Sequence, residues 1–289
     1  MSILRLGRGR DGALQCVPAN TLRRTEVSDN NVNWRDMLRN DAFPLSATYD
    51  SDWVLENQMG PNVLWLTEWL CGEMGLAPGM RVLDMGCGKA LSSVFLARTF
   101  GVQVWANDLW ISATENWQRI REAGVEDRVF PIHAEARSLP YAEGFFDAIV
   151  SMDSYHYYGT DDLYLLSFGK LVRPGGRIGI VVPGLMQPID GPAPAHLTRK
   201  QASGGTFWVD DCWTFHTADW WRTLWDHTAL VDVELADTLP DGWRHWLKWD
   251  RALDAFGKRL FPSDAETIEA DAGRYIGFVR MIARRREAP

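Results

Sequence analysis

The segment MRVLDMGCGKA, residues 80–90, decides the architecture. Met80–Met85 is a short apolar run that reads as a strand, and Gly86-Cys87-Gly88 ends it. From Ala90 to Phe100 the apolar residues recur at helical spacing, and Gly101 stands where a helix C-terminus is capped. The same alternation continues downstream. Val102–Asn107 reads as a second strand, Trp110–Ala123 as a second helix and Val129–Ala134 as a third strand. Phe145–Ser151 follows as a fourth strand, then a helix over Asp161–Leu171 with Thr160 as its N-cap. Pro174-Gly175-Gly176 turns the chain into a fifth strand, Arg177–Val182. Strands alternating with helices at this pitch predict right-handed βαβ units, a mainly parallel sheet and an α/β fold.

Outside this block the rhythm changes. Residues 1–50 carry little periodicity and read as an N-terminal arm or cap. Trp53–Met74 is helical in spacing, interrupted at Gly60-Pro61. Residues 51–183 are expected to form the cofactor-binding half of one domain, and residues 184–289 its remainder. Two stretches break the pattern in that second half, about 184–216 and 241–262, and both read as insertions. Between and after them come a helix opened by Thr217, a strand at Val231–Ala236 and a last strand at Tyr275–Ile282.

Composition narrows the function class. The chain has 289 residues, 46% hydrophobic, and a formal net charge of −8, which excludes a disordered chain and gives no basic footprint for nucleic acid. Cys16, Cys71, Cys87 and Cys212 lie too far apart for a metal-binding or disulfide framework. With no signal-peptide core and no long apolar run, a cytoplasmic protein without stable membrane insertion is expected. Tryptophan is in excess: eight of fifteen fall between Trp208 and Trp249.

The loop after the first strand carries the chemistry. Glycines let the backbone turn tightly and approach a ligand, and the following helix N-terminus presents free N–H groups. Asp108, twenty residues after Gly88, ends the second strand, where a carboxylate can accept from both hydroxyls of a ribose. A tight turn plus a capping Asp explains each feature singly; the two at this spacing point to a nucleoside. Leu91 replaces the third glycine of a dinucleotide site, and the loop also lacks the phosphate-loop pattern. Asp84 at the loop entrance opposes a pyrophosphate and suits a cation. S-adenosylmethionine offers an ammonium, a sulfonium and a ribose.

VLDMGCGKA, VWANDLW, HAEARSLPYAEGFFDAIVSMDSYHYY and LVRPGGRIGIVVP together resemble a class I S-adenosylmethionine-dependent methyltransferase, of the small-molecule, cyclopropane-synthase-like branch. The resemblance runs from about Met80 to Val182, with a continuation to Ile282. It implies a Rossmann-like three-layer sandwich: a seven-stranded sheet, antiparallel in its last strand, with lid insertions after strands five and six. Asp84, Gly86, Cys87 and Gly88 match the loop that holds the methionine end. Asp108 matches the ribose acid, Leu109 lies beside the adenine, and Glu135-Ala136 match the pair that meets the adenine amine. Tyr49 resembles an N-terminal tyrosine that covers the cofactor in several members. Ala90 departs from the family, where a further glycine is frequent.

The resemblance places the transferred methyl over the ends of strands one and four, facing Met152, Asp153, Ser154, Tyr155, His156, Tyr157 and Tyr158. His156 matches a family histidine and is the candidate base or orienter, with His216 a second candidate. Asp153, Tyr155 and Tyr157 are expected in the acceptor pocket, with Trp208, Trp213 and Phe215 from the first insertion and Trp243 and Trp246 from the second. Trp220, Trp221 and Trp225 fall on helical spacing and read as packing, while Trp243, Trp246 and Trp249 drift around a helix axis. An aromatic, acidic pocket suits a cationic or flat aromatic small molecule. The expected activity is methyl transfer to such an acceptor, nitrogen before oxygen, with no metal. The alternatives are cyclopropane formation or other modification of lipids, and a non-catalytic nucleoside-binding protein. The sequence is silent on oligomeric state.

Overall fold

A computed structural model describes residues 34–287, so most of the expected N-terminal arm lies outside the described residues. The strands β1 (Arg81–Met85), β2 (Gln103–Asp108), β3 (Val129–His133), β4 (Phe146–Met152), β5 (Val172–Leu185), β6 (Val231–Thr238) and β7 (Ile276–Arg285) form one sheet. Their order is β3-β2-β1-β4-β5-β7-β6. Pairs among β1 to β5 are parallel, and β7 runs antiparallel to both of its neighbours, as the resemblance implies. Chain order reverses between β1 and β4, which opens a crevice at their carboxyl ends.

Among the described residues, ten helices flank the sheet: α1 (Trp34–Leu38), α2 (Ser51–Glu56), α3 (Val63–Met74), α4 (Leu91–Phe100), α5 (Ala113–Glu122), α6 (Tyr164–Phe168), α7 (Ala195–Thr198), α8 (Ala218–His227), α9 (Gly242–Phe256) and α10 (Ala265–Asp271). Strand alternation divides the core. Val82, Val104 and Val150 pack with Leu70, Val94 and Phe95 of α3 and α4. Leu83, Met85 and Ile149 point the other way, to Tyr164, Phe168, Trp221 and Trp225 of α6 and α8. None of the described helices is long and apolar enough to cross a membrane.

Four local readings need correction, each for a physical reason. α5 starts at Ala113 instead of Trp110, because Asp108 Oδ1 holds the amides of Trp110 and Ile111, at 2.8 and 2.9 Å, outside the helix. Ser112 then caps it reciprocally with Glu115. α6 is one short helix followed by a 3-10 turn over Gly169–Leu171, and Asp161 rather than Thr160 accepts a backbone N–H, from Leu163, at its entrance. β5 already begins at Val172 and carries the Pro174-Gly175-Gly176 sequence through a shift in register opposite Phe146–Ala148. The short helix α10 has no counterpart in the sequence reading; seven residues give too few turns for a periodic signal.

The two insertions meet where Phe207 packs edge-on against Trp246 at 5.9 Å, and the first is also bonded to the segment that follows the second. Gln201 donates to Asp264 Oδ1 at 3.1 Å and accepts from the Thr267 amide at 3.2 Å. His196 Nε2 lies 2.9 Å from Asp271 Oδ1, tying α7 to α10. Buried polar groups that satisfy one another in this way fix the first insertion against α10.

Candidate active site

The glycine loop sits at the sheet's reversal point and is held by polar groups from neighbouring strands. Asn107 O accepts from the amides of Gly86 and Cys87, at 2.8 and 3.0 Å. Ser154 Oγ donates to Met85 O at 3.1 Å and meets Tyr158 Oη at 2.8 Å. From α5, Asn116 Nδ2 donates to Gly88 O at 2.9 Å. Asn107, Asn116 and Ser154 therefore shape the loop, although only Ser154 stood among the expected neighbours. The signal for Asn107 was its place beside Asp108 at a strand tip. Asn116 had none, because a polar residue on a helix reads as solvated until its neighbours are known.

Two carboxylates flank this loop. Asp84 is fully buried: its Oδ2 accepts from Ser92 Oγ and Ser93 Oγ, both at 2.6 Å, while Oδ1 has no hydrogen-bond partner among the described residues. Desolvation pushes its carboxyl up to about 6, opposed by the two serine hydrogen bonds. Asp108 accepts from Gly88 N at 2.8 Å through Oδ2, besides its two bonds through Oδ1. Three of roughly four lone-pair sites are taken, so one remains for a ligand hydroxyl. Burial raises its carboxyl above the ordinary range. The Cys87 thiol is pushed well up by burial, and the nearby Asp108 and Asp84 add to the shift, so it stays neutral.

Ala90 adopts the left-handed conformation, φ +62°, and is fully buried. That explains why glycine suits this position: a side chain at such φ costs ~1–2 kcal/mol. Ala90→Gly is expected to raise stability by about 0.5–1 kcal/mol once the added freedom of the unfolded chain is subtracted, read as a higher urea midpoint.

Beyond the loop, Leu109 is 50% exposed, and its carbonyl accepts from His133 Nε2 at 2.7 Å. Glu135 Oε2 accepts from the Arg137 amide at 2.8 Å, and Ala136 O accepts from Tyr164 Oη at 3.1 Å. Met152 is buried at the tip of β4. Asp153 follows with φ +55°, its amide donating to Val181 O at 2.8 Å, and desolvation pushes its carboxyl up to about 8. Its Oδ2 lies so close to Gly60 that a Cβ there would overlap it. Next to it, Met59 Sδ lies where a Gly88 Cβ would come within 3.0 Å. Residues 59–60 thus form a strap against the loop, anchored by Trp249 Nε1, which donates to Gly60 O at 2.8 Å.

Of the aromatic residues expected at the acceptor pocket, the structure brings together those of the first insertion. A pocket of about 270 Å³ is lined by Leu185, Pro188, Ile189, Gly191, Ala193, Trp208, Cys212, Trp213, Phe215, His216, Thr217 and Trp220. Trp213 is 67% exposed at its edge, and Trp208 Nε1 is buried without a hydrogen-bond partner among the described residues. His216 stacks on Trp220 at 3.5 Å, and burial lowers its pKa to about 4. His156 is fully buried behind Phe215, with ring centroids 5.9 Å apart, and lies 4.0 Å from Tyr157. Tyr157 in turn meets Trp110 edge-on at 6.2 Å.

Asp153 and Tyr157 do not line this pocket, and four other expected residues lie away from both pocket and loop. Tyr49 packs on Phe95 and Trp53, and its hydroxyl approaches Thr99 Oγ1 at 3.4 Å, at the far end of α4 from the loop. At 1.5 Å per residue that end is about 12 Å from the helix start. Tyr155 is in the core beneath α8, against Trp221 and Trp225, each at 5.7 Å. Trp246 stacks on Phe278 at 4.8 Å as core, and Trp243 lies over Gly273. The second insertion contributes packing and the Trp249 anchor, because tryptophans three residues apart project around the α9 axis in different directions.

Comparison with known proteins bears on the fold and on the family. The family model described as a methyltransferase domain matches residues 82–176. Over 128 residues the chain is 34% identical to Methyltransferase GfsG of Streptomyces halstedii, covering 43% of this chain and 46% of that protein. It is 31% identical over 116 residues to 27-O-demethylrifamycin SV methyltransferase of Amycolatopsis mediterranei, covering 40% and 43%. These matches span less than half the length of either curated relative. Phosphoethanolamine N-methyltransferase 2 of Haemonchus contortus shares the fold, with a TM-score of 0.63 at 17% identity, over 89% of this chain and 61% of that one. The sheet reversed between β1 and β4, with a glycine loop at that reversal, coincides with the stretch, residues 82–176, that matches the methyltransferase-domain model.

Proposed function

We propose that this protein transfers a methyl group from S-adenosylmethionine to a small-molecule acceptor, with nitrogen favoured over oxygen as the nucleophile. The observation that carries the cofactor is the buried, unpartnered Asp84 Oδ1 beside a glycine loop whose other flank is Asp108. An orphaned carboxylate oxygen is costly unless a cation or donor meets it, and the cofactor's ammonium is both. When bound, S-adenosylmethionine supplies an electrophilic methyl on sulfur. Asp84 would hold the ammonium, and Asp108 would accept a ribose hydroxyl at its remaining lone pair. Leu109 and the Glu135-Ala136 turn would border the adenine, and Met152 the methyl-bearing end.

The acceptor is read from the pocket of the first insertion. Among the described residues no lysine or arginine lines it, which disfavours an anionic molecule, while Trp208, Trp213 and Trp220 offer ring faces to an amine or flat aromatic. Trp208 Nε1 supplies one donor for an oxygen on the acceptor. Burial alone lowers the His156 pKa to about 3. Both His156 and His216 are therefore neutral above pH 5 and weakly basic; His216, which lines the pocket, can accept or relay the acceptor's proton, while His156 stands behind Phe215 and is suited to orienting. Alignment of nucleophile, carbon and sulfur then supplies most of the rate enhancement.

Isothermal titration with S-adenosylhomocysteine tests the cofactor reading. Saturable binding is expected, weakened about tenfold in Asp108→Asn, which replaces one acceptor oxygen by a donor. Absence of binding would sink the proposal. Transfer of labelled methyl to amines but not to phenols or alcohols is expected across a small acceptor panel; the reverse pattern moves the acceptor atom to oxygen.

A further inference from the structure

His156 presents an unresolved polar problem. Its ring is fully buried, and neither Nδ1 nor Nε2 has a hydrogen-bond partner among the described residues. A buried imidazole whose two nitrogens no protein group meets is a disfavoured arrangement, relieved when a polar group reaches it. The barrier between His156 and the Trp-lined pocket is the Phe215 ring, edge-on to the imidazole at 76° and buried on the pocket's wall. His156 itself does not line the pocket.

The backbone beside Phe215 is pinned. Its amide donates to Cys212 O at 3.0 Å, and His216 O accepts from Leu185 N at 3.1 Å at the end of β5. Opening therefore falls to the side chain. The pocket's 270 Å³ exceeds the ~150 Å³ that admits benzene, so a phenyl ring has room to turn.

We propose that Phe215 is a side-chain gate: closed, it seals His156 from the pocket, and turned aside, it lets an acceptor reach His156 and the tips of β1 and β4. The gate rests on reading this pocket as the acceptor site. It selects acceptors slim enough to pass the turned ring, and the acceptor's own polar atom then satisfies His156.

Diethyl pyrocarbonate, which modifies neutral imidazole, tests the gate when labelled peptides are read by mass spectrometry at rising urea below the unfolding transition. In the wild type, His156 is expected to label slowly at a rate flat in urea, because a side-chain turn exposes little surface. Phe215→Ala is expected to label at least tenfold faster, with Phe215→Leu between; if the alanine variant does not fold, the leucine variant carries the comparison. Wild-type labelling that climbs with urea alongside global unfolding overturns the gate, as does wild-type protection of His156 in folded variants. No cofactor is needed for this measurement, so a failure to bind S-adenosylhomocysteine removes the proposed function without deciding the gate.

Discussion

Gly86→Ala is expected to destabilise the protein by about 3 kcal/mol and to abolish measurable binding of S-adenosylhomocysteine. Two penalties add. Gly86 has φ +75°, and a Cβ there would overlap Ser154 Oγ and crowd Ser154 Cβ. Ser154 cannot step aside cheaply, since its hydroxyl is held by Met85 O and Tyr158 Oη. The matched control is Gly88→Ala, whose Cβ would meet only the flexible Met59 side chain, at 3.0 Å. Urea unfolding and calorimetric titration of both variants give the comparison. Adding Ser154→Gly to Gly86→Ala removes the clash but not the dihedral cost, so partial recovery of stability is expected. Wild-type affinity in Gly86→Ala would show that the loop is not where the cofactor binds.

Asp84→Asn is expected to weaken S-adenosylhomocysteine binding about 30-fold, or about 2 kcal/mol, the value of a hydrogen bond to a charged group. Wild-type affinity is expected to fall about tenfold from pH 7 to pH 5, because a carboxyl near 6 goes from mostly ionised to mostly protonated over that range. The Asp84→Asn variant should be flat there. Stability without ligand moves the opposite way. The folded chain keeps a proton on Asp84 that the unfolded chain releases, so this contribution is full below pH about 4 and is lost as pH rises through about 6. Comparing urea midpoints of wild type and variant at pH 4.5 and 7 isolates that slope from the other carboxylates. Equal pH dependence of binding in both proteins would remove Asp84 as the ammonium's partner.

Much of the scaffold was legible because it is written in local terms. The strands from Met80 to Val182 follow from apolar runs punctuated by glycine, and Trp221 and Trp225 read as core from helical spacing alone. Asp84, Gly86, Gly88 and Asp108 were legible because backbone geometry ties them to strand tips, wherever the rest of the chain goes. Tyr49, Tyr155, Trp243 and Trp246 were misplaced for the complementary reason. An aromatic residue looks the same in a pocket wall and in a core until its neighbours, distant in sequence, are known.

The sequence by itself determined a mainly parallel α/β sheet with a nucleoside-type loop after its first strand, since periodicity, turn residues and spacing are properties of short segments. Only the tertiary structure decided which insertion makes the tryptophan-lined pocket, that Trp249 anchors the strap over the loop, and that Phe215 stands between the pocket and His156. Those are contacts between residues up to 189 positions apart, fixed by packing and by the satisfaction of buried polar groups.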